Sequence, residues 1–580
     1  MSASNSTVFE VNSILEFHNT SFYPNMHHHM GDSFGYGKLD LFVEPIAREP
    51  LMDPTRALTW DIVFSVDNSG SMSDKCKDNR TKMAHIIHTL SNIVRLFSQK
   101  DVSTYCFNIY IQIFNSVVTK VLDFTQVTPD NLDTILKRIE NVYAEGQTDL
   151  IAPIHICKSL YKQRHTQFPQ NKFLHIVLTD GEDNCNNEDV FNTSIESSVD
   201  LNSQCSSYST CYKTIFIGMG ITHDCEKLSS FVCKNNDNEY YFIDKLENAG
   251  IVYGEIIHNI LNIQFEKVNI TLENGLVYNW KTNEWVISME IGALYANTSR
   301  SFHVKSETPE QVKGIICGHS IYNTIVSSQA IQLDDFTTLP GLIDMNTGIT
   351  NIVDLTQYIY RFIVQTFLYK CVRLAISANY SGFQSNATIE NPYNVCKQEL
   401  AELFTQLKEY VKEHKETTNL FWNVLLDDIF ILYKTINTPY FYMFSLSRYM
   451  SQGLQRAYAV TNIKDLLQDI HNNIARDANY IDDIIRNKIN NINQTLYTYD
   501  TLRTPTLQRE FSQAYDYPED IDGVYEVEGI VGYVEDNSDI FAETITDCID
   551  DEIQHELSDN IDSPYMTQEM HDVMRSVSSN

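Results

Sequence analysis

Apolar and polar positions follow two rhythms in the first half of the chain. Between residues 60 and 262, unbroken apolar runs alternate with stretches of helical period. "DIVFSV", "KFLHIVLTD" and "KTIFIGMG" read as strands buried on both faces. "TYCFNIYIQIF" and "VVTKVLDF" read as two more, joined at a turn through Asn115 and Ser116. Helical period appears in "KMAHIIHTLSNIVRLFS", where Met83, Ile86, Ile87, Leu90, Val94 and Phe97 share a face. "PDNLDTILKRIENV", with Pro129 in its first turn, and "CEKLSSFVC" read as further helices. Strands alternating with helices predict an α/β fold, a doubly wound, mostly parallel, Rossmann-like sheet over residues 58–262.

The rhythm then changes. Residues 263–345 carry short alternating strands and turn signals such as Glu273-Asn274-Gly275, which predict a small β-rich unit. Residues 1–57 read as an extension in which "GKLDLFVEP" supplies a strand to that unit. Residues 346–500 have helical period and few glycines; in 401–415, Leu403, Phe404, Leu407, Tyr410 and Val411 form one apolar side. From 510 to 580 acidic and turn-forming residues dominate, predicting a flexible acidic tail. Within it Ile545, Ile549, Ile553 and Leu557 are spaced for one amphipathic helix that docks on a partner.

Charge narrows the function classes. The net charge is −34, and from Asp516 onward 19 acidic residues face one basic residue, Arg575. Such a chain repels phosphate backbones, so no nucleic-acid partner is expected. "YIYRFIVQTFLYKCVRLAI" is interrupted by Arg361, Lys370 and Arg373, and "LFWNVLLDDIFILYK" by Asp427 and Asp428, so no membrane span is expected either. The N-terminal stretch lacks the basic start and apolar core of a secretory signal. Twelve cysteines without paired C-x-x-C spacing suggest free thiols and an intracellular, cytoplasmic setting. Heavy use of Asn, Ile and Tyr suggests an AT-rich genome, a protist or a large DNA virus, which would place the chain in host cytoplasm or a virion.

The candidate chemistry sits where strands end. Ligands of open parallel sheets bind beyond the carboxyl ends of strands. Asp67 and Asp180 each end a buried run, so both carboxylates should meet at one sheet edge. The loop after Asp67 adds the hydroxyls of Ser69 and Ser71, with Gly70 allowing a tight turn, and "EGQTDL" brings Thr148. Carboxylates and hydroxyls are hard oxygen donors, suited to Mg²⁺ (or Mn²⁺) rather than to zinc or copper. If the hydroxyls bind directly and an aspartate acts through water, such a metal keeps net positive charge, and an open position would draw a carboxylate from a protein partner.

"DNSGSM", "GQTDL" and "LTDGED" resemble, in order and spacing, the three loops of the von Willebrand factor A domain. Asp67, Ser69, Ser71, Thr148 and Asp180 match that family's metal-ion-dependent adhesion site. Gln147 departs from the glycine many relatives carry before the threonine. Over residues 38–470 the architecture also resembles plant A-domain proteins, some of which are ubiquitin ligases with an N-terminal RING finger. The first 60 residues here contain no cysteine, so no RING and no ligase chemistry carry over.

The resemblance implies a non-enzymatic, metal-dependent protein-binding or scaffold module whose partner presents an acidic residue, with the tail recruiting a second partner. Two alternatives stay open: a non-catalytic part of a ubiquitin-ligase assembly, and a structural or virion-associated protein in which the metal only stabilises the fold. Other chemistries fit less well. A phosphotransferase nucleophile at Asp67 would need a second acid where Ser69 stands, and "NSGSM" is not the G-x-S-x-G elbow of hydrolases. Cys205, Cys211, Cys225 and Cys233 match no zinc spacing and read as buried thiols, with zinc as the alternative. His27 to His29 read as a surface loop and His223 as part of a loop entering a helix.

Overall fold

Strand β3 (Leu58–Asp67) is apolar because it lies in mid-sheet: Ile62, Val63, Phe64 and Val66 are all buried. It pairs in parallel with β4 (Tyr105–Phe114) on one side and β6 (Lys172–Thr179) on the other. β7 (Tyr212–Met219) and β8 (Glu239–Ile243) continue the parallel run, and β5 (Val118–Gln126) closes the other edge antiparallel. The order is β5-β4-β3-β6-β7-β8. Phe107 and Tyr110 on β4 are three positions apart and so face opposite sides of the sheet. Phe97 of helix α1 (Lys82–Ser98) stacks on Phe107 at 4.0 Å. Tyr161 of α3 (Ile151–Gln167) packs in a cluster with Tyr110, Val63, Phe173 and Tyr212. Helices therefore cover both faces, as a doubly wound sheet requires. Between them in sequence, α2 (Leu132–Glu140) buries Ile135, Leu136 and Ile139. The turn after β4 is one residue longer than the sequence suggests: Asn115 accepts from the Val117 amide through its side chain (3.0 Å), and β5 starts at Val118.

The structure is a computed structural model that describes residues 11–18, 34–43, 57–76, 78–181, 212–221, 223–234, 238–243, 249–320, 331–333, 353–380, 392–416, 419–438, 440–457 and 563–578. These belong to one compact unit, Met1–Thr461 with Ser558–Asn580; the residues of a second unit, Asn462–Leu557, lie outside the described ones. So do His27–His29, Cys205, Cys211, Ile545, Ile549, Ile553 and Leu557, and the side chain of Cys233. Cys225, at the start of α4 (Cys225–Lys234), is buried. Among the described residues, no helix is long and apolar enough to cross a membrane.

Helix α5 (Ala249–Asn262) runs without a linker into β9 (Ile263–Glu273). The β-rich region holds two antiparallel sheets. One is β12 (Ser288–Tyr295), β9, β14 (Lys313–Ser320) and β15 (Ile331–Leu333). The other begins with two N-terminal strands, β1 (Val11–Phe17) and β2 (Gly35–Val43). β2 pairs along its length with β13 (Ser299–Ser306), which leads to β10 (Leu276–Asn279) and β11 (Glu284–Val286).

The helical region is α6 (Thr356–Tyr380), α7 (Pro392–Glu413), α8 (Leu420–Thr435) and α9 (Phe441–Leu454). Arg361, which interrupts an apolar run in the sequence, is among the most buried large side chains. It donates to the Ser301 carbonyl (3.2 Å) of β13 and the Gln452 carbonyl (3.1 Å) of α9. α9 also reaches the parallel sheet: Phe444 meets Phe242 of β8 edge to face at 5.8 Å, and the Tyr442 hydroxyl donates to Ser229 at 2.7 Å.

The flexible acidic tail expected over 510–580 does not extend to its last residues. Gln568–Ser578 form helix α10, which packs on α5 and α1 and buries Met570, Met574 and Val577. Gly250 and Gly254, one turn apart on α5, make room for it. A Cβ on Gly254 would lie 2.5 Å from Met574 Cα, and one on Gly250 would lie 2.8 Å from Ser578 Cα. Composition concealed this helix, because its apolar stripe of methionines lies inside an acidic stretch.

Candidate metal centre

Because β3 and β6 are parallel neighbours, Asp67 at the end of one and Asp180 just after the other come to the same sheet edge. Two backbone bonds fasten the first loop to the second: Gly70 N–H donates to the Gly146 carbonyl (2.9 Å), and Glu145 N–H to the Asn68 carbonyl (2.6 Å). Gly146 has φ +85°, a left-handed conformation that glycine adopts without strain. The same turn leaves Gln147 exposed and buries Thr148, so the departure at Gln147 does not displace the threonine. Asp149 then starts α3 by accepting from the Ile151 (2.9 Å) and Ala152 (3.1 Å) amides.

The five residues singled out in the sequence meet. Asp67 Oδ1 accepts from the Ser69 amide at 2.8 Å. Ser69 Oγ lies 3.1 Å from Ser71 Oγ, and the Ser71 hydroxyl donates to Asp180 Oδ1 at 2.7 Å. Thr148 closes the group from the other side. A Cβ built on Gly181 would lie 2.9 Å from Thr148 Oγ1 and 3.7 Å from Asp67 Oδ2.

Two participants carry no signal in the sequence. Thr179 donates its hydroxyl to Asp67 Oδ2 at 2.6 Å. Lys82, the first residue of α1 after the capping Thr81, forms an ion pair with Asp180 Oδ2. It also approaches Asp74 Oδ2 at 3.5 Å. Lys82 and Asp180 are 98 positions apart; the parallel pairing of β3 with β6 brings the segments that follow these strands to one edge.

The electrostatics are uneven. Burial raises the Asp67 carboxyl to about 6; the Thr179 and Ser69 hydrogen bonds oppose this, and the Asp180 charge adds to it. Burial acts to lower the Lys82 ammonium, but the Asp180 charge and hydrogen bond outweigh it, and its pKa is raised. Asp180 thus has a cation beside it, whereas Asp67 is held by neutral donors. Among the described residues, no group of three or more His, Cys, Asp or Glu side chains is gathered for a metal. This donor set is different: Asp67 and Asp180, with the hydroxyls of Ser69, Ser71 and Thr148, bring only oxygen atoms together, the donor type that hard divalent cations take.

The von Willebrand factor type A domain family model matches residues 61–254, and the six-stranded sheet with its helices has that fold. Among solved structures, a von Willebrand factor type A protein from Catenulispora acidiphila is similar at 12% identity and TM-score 0.43, over 73% of this chain and 91% of that one. Proximal thread matrix protein 1 from the mussel byssus, with a zinc-occupied MIDAS motif, is similar at 16% identity and TM-score 0.27. That match covers 35% of this chain and only 46% of the mussel protein's chain. PilB minor pilin from Streptococcus sanguinis is similar at 12% identity and TM-score 0.29, over 43% of this chain and 78% of that one. No curated protein matches the chain.

Proposed function

We propose that this chain is a non-catalytic binding module: Asp67, Ser69, Ser71, Thr148 and Asp180 hold Mg²⁺ or Mn²⁺, and a carboxylate from a protein partner completes the coordination. Domains of this type commonly mediate metal-dependent protein binding. The observation that carries the reading is Asp67. Among the described residues its hydrogen-bond donors are neutral, and a buried carboxylate so held is costly unless a cation or a proton joins it. Oxygen donors from three loops surround it, and a divalent cation there would supply the missing charge. Asp67 and Asp180 balance that charge, and neutral hydroxyls add donors without cancelling more of it. Thr179 and the Ser69 amide orient Asp67; Ser71 orients Asp180. The helical region packs against the domain that carries this edge.

Water-proton relaxation with Mn²⁺ tests the reading on the full chain. Bound Mn²⁺ should enhance relaxation, and Asp67→Ala should remove the enhancement. A short peptide with one glutamate should lower it by replacing bound water, and its glutamine counterpart should not. No enhancement at millimolar Mn²⁺, or equal enhancement in Asp67→Ala, would refute the metal site. Enhancement that the glutamate peptide leaves unchanged would refute the carboxylate contact.

A further inference from the structure

We infer that Lys82 is a built-in competitor of the metal for Asp180: its ammonium occupies Oδ2 of that carboxylate and weakens cation binding. This deepens the metal-site reading and rests on it.

Three observations carry it. The ion pair lies inside the ligand set, on a carboxylate that is 2% exposed, so this is no solvated surface pair. Both oxygens of Asp180 are engaged, Oδ1 by the Ser71 hydroxyl and Oδ2 by Lys82. A cation that takes Asp180, directly or through a water, must then displace the ammonium or sit against it. The ammonium also has somewhere to go: the more exposed Asp74 carboxylate stands 3.5 Å away. Lys82 is anchored at the first turn of α1, whose cap Thr81 accepts from the Ala84 amide at 3.1 Å, so even a displaced ammonium stays close to the site.

The charges follow. Asp67 and Asp180 neutralise a divalent cation, and Asp74 offsets the charge of a displaced Lys82. Hydroxyl ligands contribute none. A site whose Asp180 is already held by an ammonium binds its metal less tightly than the same oxygens without it.

The test is calorimetric titration of Mn²⁺ into the EDTA-stripped, dialysed full chain, with Lys82→Met, Lys82→Arg and Asp67→Ala alongside. Circular dichroism melting in EDTA confirms that each variant is folded. Lys82→Met should bind Mn²⁺ about tenfold more tightly than wild type, about 1.4 kcal/mol. Lys82→Arg keeps the charge and should stay within about threefold of wild type. Mn²⁺ binding by wild type that is unchanged or weaker in Lys82→Met overturns the competitor role and leaves the metal site standing. Should Lys82→Met fail to fold, Lys82→Gln takes its place under the same criterion. Failure of wild type and the charge-removing variant alike to bind Mn²⁺ at millimolar concentration overturns the metal site and this inference together.

Discussion

Asp67, Ser69, Ser71, Thr148 and Asp180 could be named from the sequence because each belongs to a short motif at a strand end. Thr179 and Lys82 could not, because their roles arise from pairing across the sheet. Histidines behave similarly. His223 stands in the loop that enters α4, as its sequence suggests, but its burial does not show there: Nδ1 lies 2.6 Å from the Gly220 carbonyl and Nε2 2.7 Å from the Tyr240 hydroxyl. Gly218 makes space for it, since a Cβ there would lie 2.3 Å from the ring. Gly218→Ala should therefore cost roughly 2–4 kcal/mol, read as a lower midpoint in denaturant unfolding. Burial lowers His223 from 6.5 to about 4 and His175, in mid-sheet, from 6.5 to about 3. Both stay neutral in the folded chain while the unfolded chain takes up protons. Neither costs stability above pH 6.5; the cost grows as pH falls from 6.5 to about 4 for His223 and to about 3 for His175, and grows no further below. Equilibrium unfolding from pH 7 to 4 should show stability falling with acid, and His175→Gln should flatten that slope.

Elements were legible where one rhythm dominated. The runs that became β3, β4, β6 and β7 stand out because strands buried on both faces are nearly continuous in apolar residues. Two elements had weaker patterns. β8, "EYYFI", is only five residues long, and α3 spreads its apolar and polar positions around the helix. Helix α10 was hidden by its acidic surroundings, although Met566, Met570, Met574 and Val577 have helical spacing. Its seat depends on backbone proximity, so side-chain bulk on α5 should dislodge it. Gly254→Leu should raise hydrogen exchange across residues 568–578 by more than tenfold while β3, β4 and β6 stay protected. Unchanged exchange in α10 would show that it does not rely on the glycine notch.

At the scale of the molecule, the sequence divides the chain into successive regions, and the structure ties the described parts of them together. β1 and β2 extend a sheet whose other strands lie more than 200 residues later. Arg361 joins α6 to β13 and α9, and α9 reaches the parallel sheet through Phe444 and Tyr442. These ties depend on chain-distant partners, so no local pattern announces them. Arg361→Met should remove the carbonyl bonds of a fully buried cation and lower the melting temperature by several degrees. The central claim concerns the sheet edge, and a ligand that binds only the folded state raises stability by about 2.7 kcal/mol at a hundredfold excess over its Kd. The most direct measurement is thermal unfolding of the full chain in EDTA, Mg²⁺ and Mn²⁺, beside Asp67→Ala and Thr148→Ala. The account predicts a melting temperature that climbs with metal concentration in wild type and stays flat in both variants. A flat response in wild type at millimolar metal, or an equal rise in all three proteins, would contradict it.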